Sequence, residues 1–285
     1  MSATKMDVRE IVEPAAAVVA PRQDTPIDET ADFAAPTLAQ LDKLAGAEPM
    51  VALDGLVAGY ATMEVLHQID LRVARGQSLC LIGPNGAGKS TVLHSIYGIA
   101  RVMHGRVAVA GRDATRMATN RRLRDLRIAY LLQDNSVFPD MTVEENLWMG
   151  GYLLPRREEA RQRAEAVFSK YESLRRRRRQ RAGALSGGER RLLEISRALI
   201  MDPQVLLVDE PSIGLEPRFI DMVFEILREL QHNEGKTIVM VEQNARKGLE
   251  FADLGYLLVA GRLVLAATGG ELLEHPEVAR QFLGG

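Results

Sequence analysis

The 285-residue chain is 46% apolar and 26% charged, the balance of a globular protein with length for one large domain or two small ones. A net charge of −2 gives the whole molecule no electrostatic case for nucleic acid, and a single cysteine, Cys80, excludes an intrachain disulfide and fits a reducing cytosol. No apolar run approaches the ~20 residues that cross a bilayer, and the start M-S-A-T-K-M-D-V-R-E has no basic stretch feeding an apolar core, so neither a span nor a signal peptide is expected.

Residues 1–48 are Ala/Pro-rich and carry four Lys/Arg against nine Asp/Glu, with one aromatic residue, Phe33. Such a segment can bury little, so it is expected to be a disordered acidic leader, with room for a short helix over 37–46. From 49 to 285 the texture is that of one folded domain. L-V-A-G-Y (56–60) and I-D-L-R-V (69–73) alternate like antiparallel strands. S-L-C-L-I (78–82) is a continuous apolar run, as a buried parallel strand would be, and T-V-L-H-S-I-Y (91–97) reads as helix. I-A-Y-L-L (128–132), V-L-L-V-D (205–209), T-I-V-M-V (237–241) and Y-L-L-V-A (256–260) are further strands. Between about 140 and 200 the pattern is helical, and no internal repeat is visible. The expected fold is therefore an α/β core with a parallel sheet, an antiparallel β portion before it and a helical insertion.

G-P-N-G-A-G-K-S-T (83–91) joins the strand 78–82 to a helix and fits G-x-x-x-x-G-K-[ST] in the setting that motif requires. Gly83, Gly86 and Gly88 let the backbone wrap a phosphate, and the loop N–H groups with the helix N-terminus donate to its oxygens. Pro84, Asn85, Ala87 and Thr91 complete the loop. Lys89 adds a charge at the β/γ position, and Ser90 offers a hydroxyl to Mg²⁺. V-L-L-V-D-E-P (205–211) is an apolar strand ending in two carboxylates. Asp209 would hold Mg²⁺ through water and Glu210 would face the water that attacks a γ-phosphate. Alone, such a strand end would more often be a solvated turn; beside a phosphate loop it reads as chemistry. L-S-G-G-E (185–189) opens an amphipathic run with a capping box, Ser186 to Glu189, and two glycines that bare the amides at the positive end of a helix.

These three motifs, in this order, resemble the nucleotide-binding subunit of ABC transporters over roughly 50–285, and imply a P-loop NTPase cassette that binds ATP and Mg²⁺. The resemblance implies that two such subunits dimerise head to tail, so that Ser186, Gly187 and Gly188 serve the ATP of the partner's phosphate loop. It also implies that Tyr60 stacks on adenine and that Gln133, in Y-L-L-Q-D, touches Mg²⁺ and links the site to the helical insertion. N-S-V-F-P-D-M-T-V-E-E-N-L (135–147) looks like the region that meets the membrane subunits. Two positions depart from the family's pattern: Gln243 stands where a histidine usually contacts the γ-phosphate, and Glu216 where a dimer-contact loop usually ends in Asp. An amide cannot become cationic as imidazole can, so this site is expected to turn over more slowly than one with a histidine.

V-E-Q-N-A (241–245), R-Q-R-A-G-A-L-S-G-G-E (179–189), E-P-S-I-G-L-E-P (210–217) and the closing F-L-G-G resemble the ATPases of the branched-chain (hydrophobic) amino acid uptake class. That class implies a second, different ATPase subunit, or a copy of this one, two transmembrane permease subunits, and indirectly a periplasmic binding protein. It also implies a peripheral place on the cytoplasmic face of the inner membrane. Urea and short-amide importers look alike at this level. A soluble ABC ATPase without transport is the rival, but such chains usually hold two cassettes or long coiled coils, and neither occurs here. The run R-R-R-R-R-Q-R (175–181) reads as a solvated basic surface rather than a lipid or nucleic-acid contact, and Trp148 and Met149 as packing.

Overall fold

The computed structural model describes residues 33–46, 48–133 and 136–283. Most of the expected leader, 1–32 and 47, lies outside them, as do Asp134, Asn135 and the last two glycines. In chain order the elements are α1 (Leu38–Ala45), β1 (Pro49–Tyr60), β2 (Met63–Ala74), β3 (Ser78–Ile82), α2 (Lys89–Tyr97), β4 (Arg101–Val109), β5 (Arg112–Asp113), α3 (Thr119–Asp125) and β6 (Ile128–Leu131). Four helices follow: α4 (Val143–Gly150), α5 (Arg157–Lys170), α6 (Glu172–Arg176) and α7 (Gly187–Leu199). The chain then runs through β7 (Val205–Asp209), α8 (Pro217–His232), β8 (Thr237–Val241), α9 (Ala245–Phe251), β9 (Leu254–Val259), β10 (Arg262–Thr268), α10 (Gly269–Glu274) and α11 (Pro276–Phe282).

Two sheets result. β2-β1-β4-β5 is antiparallel, and β10-β9-β3-β8-β7-β6 is parallel except for its edge strand β10. The six-stranded sheet divides the hydrophobic interior in two, and each strand feeds both halves by its two-residue period. Leu79 and Leu81 of β3, Val205 and Leu207 of β7, and Val239 and Val241 of β8 pack with α2 and the antiparallel sheet. Cys80, Ile82, Leu206, Val208, Ile238 and Met240, between them, pack with α7, α8 and the helical region. That is why these strands read as unbroken apolar runs.

β1 starts seven residues before the alternating run that announced it. Its register slips between Leu53 and Leu56, where Gly55 has φ 52°, and such a bulge breaks alternation. β4, with exposed residues around Gly105, and the half-exposed edge strand β10 gave no strand pattern for the same kind of reason. The helix expected over 37–46 is present as α1, capped by Thr37 and Gln40. It packs on β2: Leu41 is fully buried, and Arg72, 7% exposed, donates to Asp42 at 3.0 Å and to the Leu53 and Leu71 carbonyls. The folded unit therefore begins before residue 49, because one buried leucine and one buried arginine tie α1 to the sheet.

Candidate functional site

β3, β8 and β7 are parallel neighbours, so the segments that leave them open on one side of the sheet, where parallel sheets deliver their ligands. The loop 83–88 leaves β3, Asp209 ends β7 with Glu210 just beyond it, and Glu242 and Gln243 follow β8.

The loop after β3 is shaped by glycine where no other residue fits. At Gly83, φ is 143° and a Cβ would stand 2.0 Å from the Leu258 carbonyl oxygen. Gly88, at φ 96°, is the N-cap of α2 and provides no side-chain cap, so the helix starts with its first amides uncapped by any side chain. Asn85 and Gly86 lie exposed at the tip, Pro84 is half-buried, and Ala87 and Thr91 are buried. The Lys89 ammonium donates to the Gly83 and Pro84 carbonyls, both at 2.8 Å, holding the loop curled around the charge.

The period of β7 decides the facing of the acids. Asp209 continues the face of Val205 and Leu207, toward α2, and is 5% exposed. Its Oδ1 accepts from Ser90 Oγ at 3.1 Å and its Oδ2 from the Tyr130 hydroxyl at 2.7 Å. Glu210 has φ 44°, a left-handed backbone that costs a side-chain-bearing residue about 1–3 kcal/mol. Its N–H donates to the Val241 carbonyl at 2.9 Å, and its Oε2 accepts from Gln133 Nε2 at 2.8 Å. Folding thus brings Gln133 to Glu210 across 77 residues of chain.

Tyr60 is 40% exposed beside α2; its hydroxyl bonds His94 Nδ1 and lies 3.5 Å from Thr91 Oγ1. Burial pulls the His94 pKa below its ordinary value, against the Asp209 charge, which favours a neutral imidazole that accepts the Tyr60 proton. Gln243 is exposed, whereas Glu242 is 2% exposed. Glu242 Oε1 accepts from Ser212 Oγ at 2.6 Å and from the Asn244 amide at 2.9 Å, which latches the loop after β7 to the loop after β8. Burial pushes the Glu242 carboxyl up, and it pushes the neighbouring Cys80 thiol up as well.

Two bonds tie residues on either side of Gln133 to α7. Arg191 donates to the Leu132 carbonyl at 3.0 Å, and Glu194 Oε1 accepts from the Ser136 amide at 3.1 Å. Arg191 and Glu194, each about 5% exposed, pair at 2.9 Å. At the start of α7 the capping box closes: the Ser186 amide donates to Glu189 Oε2 at 3.1 Å, and the Glu189 amide to Ser186 Oγ at 3.4 Å. Ser186 and Gly187 are exposed, but Gly188 is buried, and a Cβ there would stand 2.0 Å from the ring of Phe219. Close packing inside this chain therefore demands the second glycine, where the sequence suggested only bare amides for a ligand.

The arginine run is less bare than its composition implies. Arg175 and Arg176 pair with Glu172, Arg177 with Glu189 at 2.7 Å, and Arg178 with Glu144 and Glu165. Trp148 packs against the helical core, with Arg161 over its ring, while Met149 is 37% exposed rather than packed.

Sequence reasoning missed Tyr130, His94, Glu242 and the Arg191–Glu194 pair. A signal existed for two of them: a phenol inside an apolar strand and a carboxylate after one must each find a partner when buried.

The arrangement suits a nucleoside triphosphate. An uncapped helix start and a glycine-shaped loop could receive a phosphate, and a buried carboxylate sits 3.1 Å from a serine hydroxyl. Among the described residues no group of three or more His, Cys, Asp or Glu could hold a metal ion. A hard cation here would be held by Asp209, Ser90 and oxygens of the nucleotide and water, the habit of Mg²⁺. A family profile described as ABC transporter matches residues 66–213. A probable branched-chain amino acid transport ATP-binding protein of Archaeoglobus fulgidus is 39% identical over 229 residues, 80% of this chain and 96% of that protein. This chain belongs to the ABC transporter ATP-binding proteins. Another member of that family, a high-affinity branched-chain amino acid transport ATP-binding protein of Pseudomonas aeruginosa, is also 39% identical, over 83% of this chain and all of that protein. A solved ATP-binding cassette of an ABC transporter superposes with a TM-score of 0.74 at 26% identity, covering 84% of this chain and all of that one. As an ABC ATPase the chain binds ATP, and its α/β P-loop fold is that of the family's cassettes.

Proposed function

We propose that this chain is the ATP-hydrolysing subunit of an importer for branched-chain or other hydrophobic amino acids. The observation that carries the reading is the meeting of Lys89, Ser90, Asp209, Glu210 and Gln133 at the ends of β3, β7 and β6, while Ser186 and Gly187 stand exposed at the start of α7. The loop 83–88 and Lys89 bind the β- and γ-phosphates, and Tyr60 stacks on the base. Ser90 and Asp209 would hold Mg²⁺, which would supply charge neutralisation to the phosphates. Glu210 orients the attacking water and takes its proton, and Gln133 holds Glu210 in place through the 2.8 Å bond. Ser186 and Gly187 close on the nucleotide of a second cassette, a different ATPase subunit or a copy of this one.

Two transmembrane permease subunits and, through them, a periplasmic binding protein complete the proposed assembly, which places this chain on the cytoplasmic face of the inner membrane. The names of the two 39%-identical relatives support this substrate class. No helix among the described residues is long and apolar enough to cross a membrane. A tagged pull-down from detergent-solubilised native membranes tests the reading. Two multi-span subunits and a second ATPase are the expected companions, and the binding protein encountered with them names the substrate, separating amino acids from urea or short amides. Recovery of soluble partners alone would overturn the transport role.

A further inference from the structure

We infer that Tyr130 is a positioning residue for the metal side of the site: its phenol fixes one oxygen of Asp209 so that the other faces Ser90. This rests on the proposed role of Asp209 toward Mg²⁺. Tyr130 lies on β6 opposite Leu207 of β7, two residues before Asp209 and on the same face of the sheet. Its hydroxyl donates to Asp209 Oδ2 at 2.7 Å, a short charge-assisted bond. A phenol carries its proton at neutral pH and an ionised carboxylate can only accept, so the direction of this bond is fixed by the two groups themselves.

The two bonds on Asp209 differ in kind. The Ser90 bond to Oδ1, at 3.1 Å, joins two groups that would both turn to a cation, so it is exchangeable. The Tyr130 bond occupies the other oxygen and competes with nothing at the phosphate. Its ring is itself held, edge-on to His94 with centroids 5.6 Å apart and tilted on Tyr97 at 5.3 Å. His94 in turn bonds the Tyr60 hydroxyl, so the ring that orients the metal carboxylate is packed on the residue that anchors the base-side tyrosine. Partners of this outer kind typically govern metal affinity by about 10–100-fold.

Tyr130→Phe removes the hydroxyl and keeps the ring packing. The test is Mn²⁺ binding by the full chain with a non-hydrolysable ATP analogue, followed by electron paramagnetic resonance of free Mn²⁺, beside analogue affinity in EDTA. The expected result is Mn²⁺ affinity lower by about 10–100-fold with analogue affinity in EDTA within twofold of the parent. A Mn²⁺ affinity within twofold of the parent, with Asp209→Asn still weakening it, overturns the inference and leaves the proposed site intact. Loss of analogue binding in EDTA as large as the loss in Mn²⁺ would make Tyr130 a packing residue and also overturn it. An unchanged Mn²⁺ affinity in Asp209→Asn would overturn both the inference and the metal role it rests on.

Discussion

α2 starts at Gly88 in a left-handed conformation with no side-chain cap, whereas α7 starts at Ser186 with a complete capping box. Both helices begin with glycines nearby and both face a proposed phosphate, yet one start is unfinished within the chain and the other is finished. The far end of α2 is closed instead: Arg122, 2% exposed, donates to the Ser95 and Ile96 carbonyls at 2.7 Å and to Met117 and Thr115. Burial lowers the Arg122 pKa to about 10, and the guanidinium still carries its charge at neutral pH against the negative end of the helix. α2 is thus anchored at its C-terminus by Arg122, while its N-terminal amides have no side-chain cap, the arrangement that suits an anion. The start of α7 is a rigid, self-satisfied edge suited to be presented to another molecule.

The largest expected effect lies on the α2 side. Glu210→Gln should keep nucleotide binding and lose about 10²–10⁴-fold in this site's turnover, measured in the assembled complex with the partner site disabled. An undiminished rate would remove Glu210 from its role. Next, in the isolated full chain, Lys89→Ala should weaken ATP binding by about 10–100-fold, the worth of hydrogen bonds to a charged group. Ser186→Ala should leave that affinity unchanged while costing about 1 kcal/mol of stability through its lost cap. Equal weakening by the two variants would erase the distinction between the helix starts.

Gly188→Ala sharpens the contrast from the α7 side. Its Cβ meets Phe219, so thermal unfolding of the isolated chain should report a loss of about 1–3 kcal/mol, with Phe219→Leu restoring part of it. A neutral substitution would return that glycine to a ligand role alone. Gln243→His should raise turnover of the assembled complex by about fivefold, the difference between a neutral and a charge-assisted hydrogen bond. No change, or a fall, would show that the exposed amide already suffices.

The smallest effect concerns the latch between the loops after β7 and β8. The folded state holds the Glu242 proton above the ordinary carboxyl value of 4.5, so the folded chain binds more protons there than the unfolded chain. That contribution to stability is complete below 4.5 and is lost as pH rises through the folded value. Thermal unfolding of Glu242→Gln against the parent should therefore show the variant gaining on the parent as pH climbs from 4.5. A difference that stays flat with pH would mean Glu242 is ionised in the fold as freely as outside it.

The parts of the site legible in the sequence were those built by local geometry. Strand, glycine loop, Lys89 and helix are contiguous, and so is the Ser186–Glu189 box, because caps and turns are decided within three or four residues. The apolar runs of β3, β7 and β8 announced a doubly covered sheet for the same reason. Irregular strands were not legible: the bulge at Gly55 destroys the period on which a strand is recognised.

By itself, then, the sequence determined where a glycine loop would join a strand to a helix, which strand would end in acids, and that one helix would cap itself. Only the tertiary structure decided that Tyr130 meets Asp209, that Gln133 meets Glu210, that Glu242 joins two loops, and that Phe219 fills the space a side chain on Gly188 would need. The first three contacts depend on strand order and register and the last on how α7 packs on α8, and parallel strands separated by long crossovers leave no local trace of which neighbour they will have.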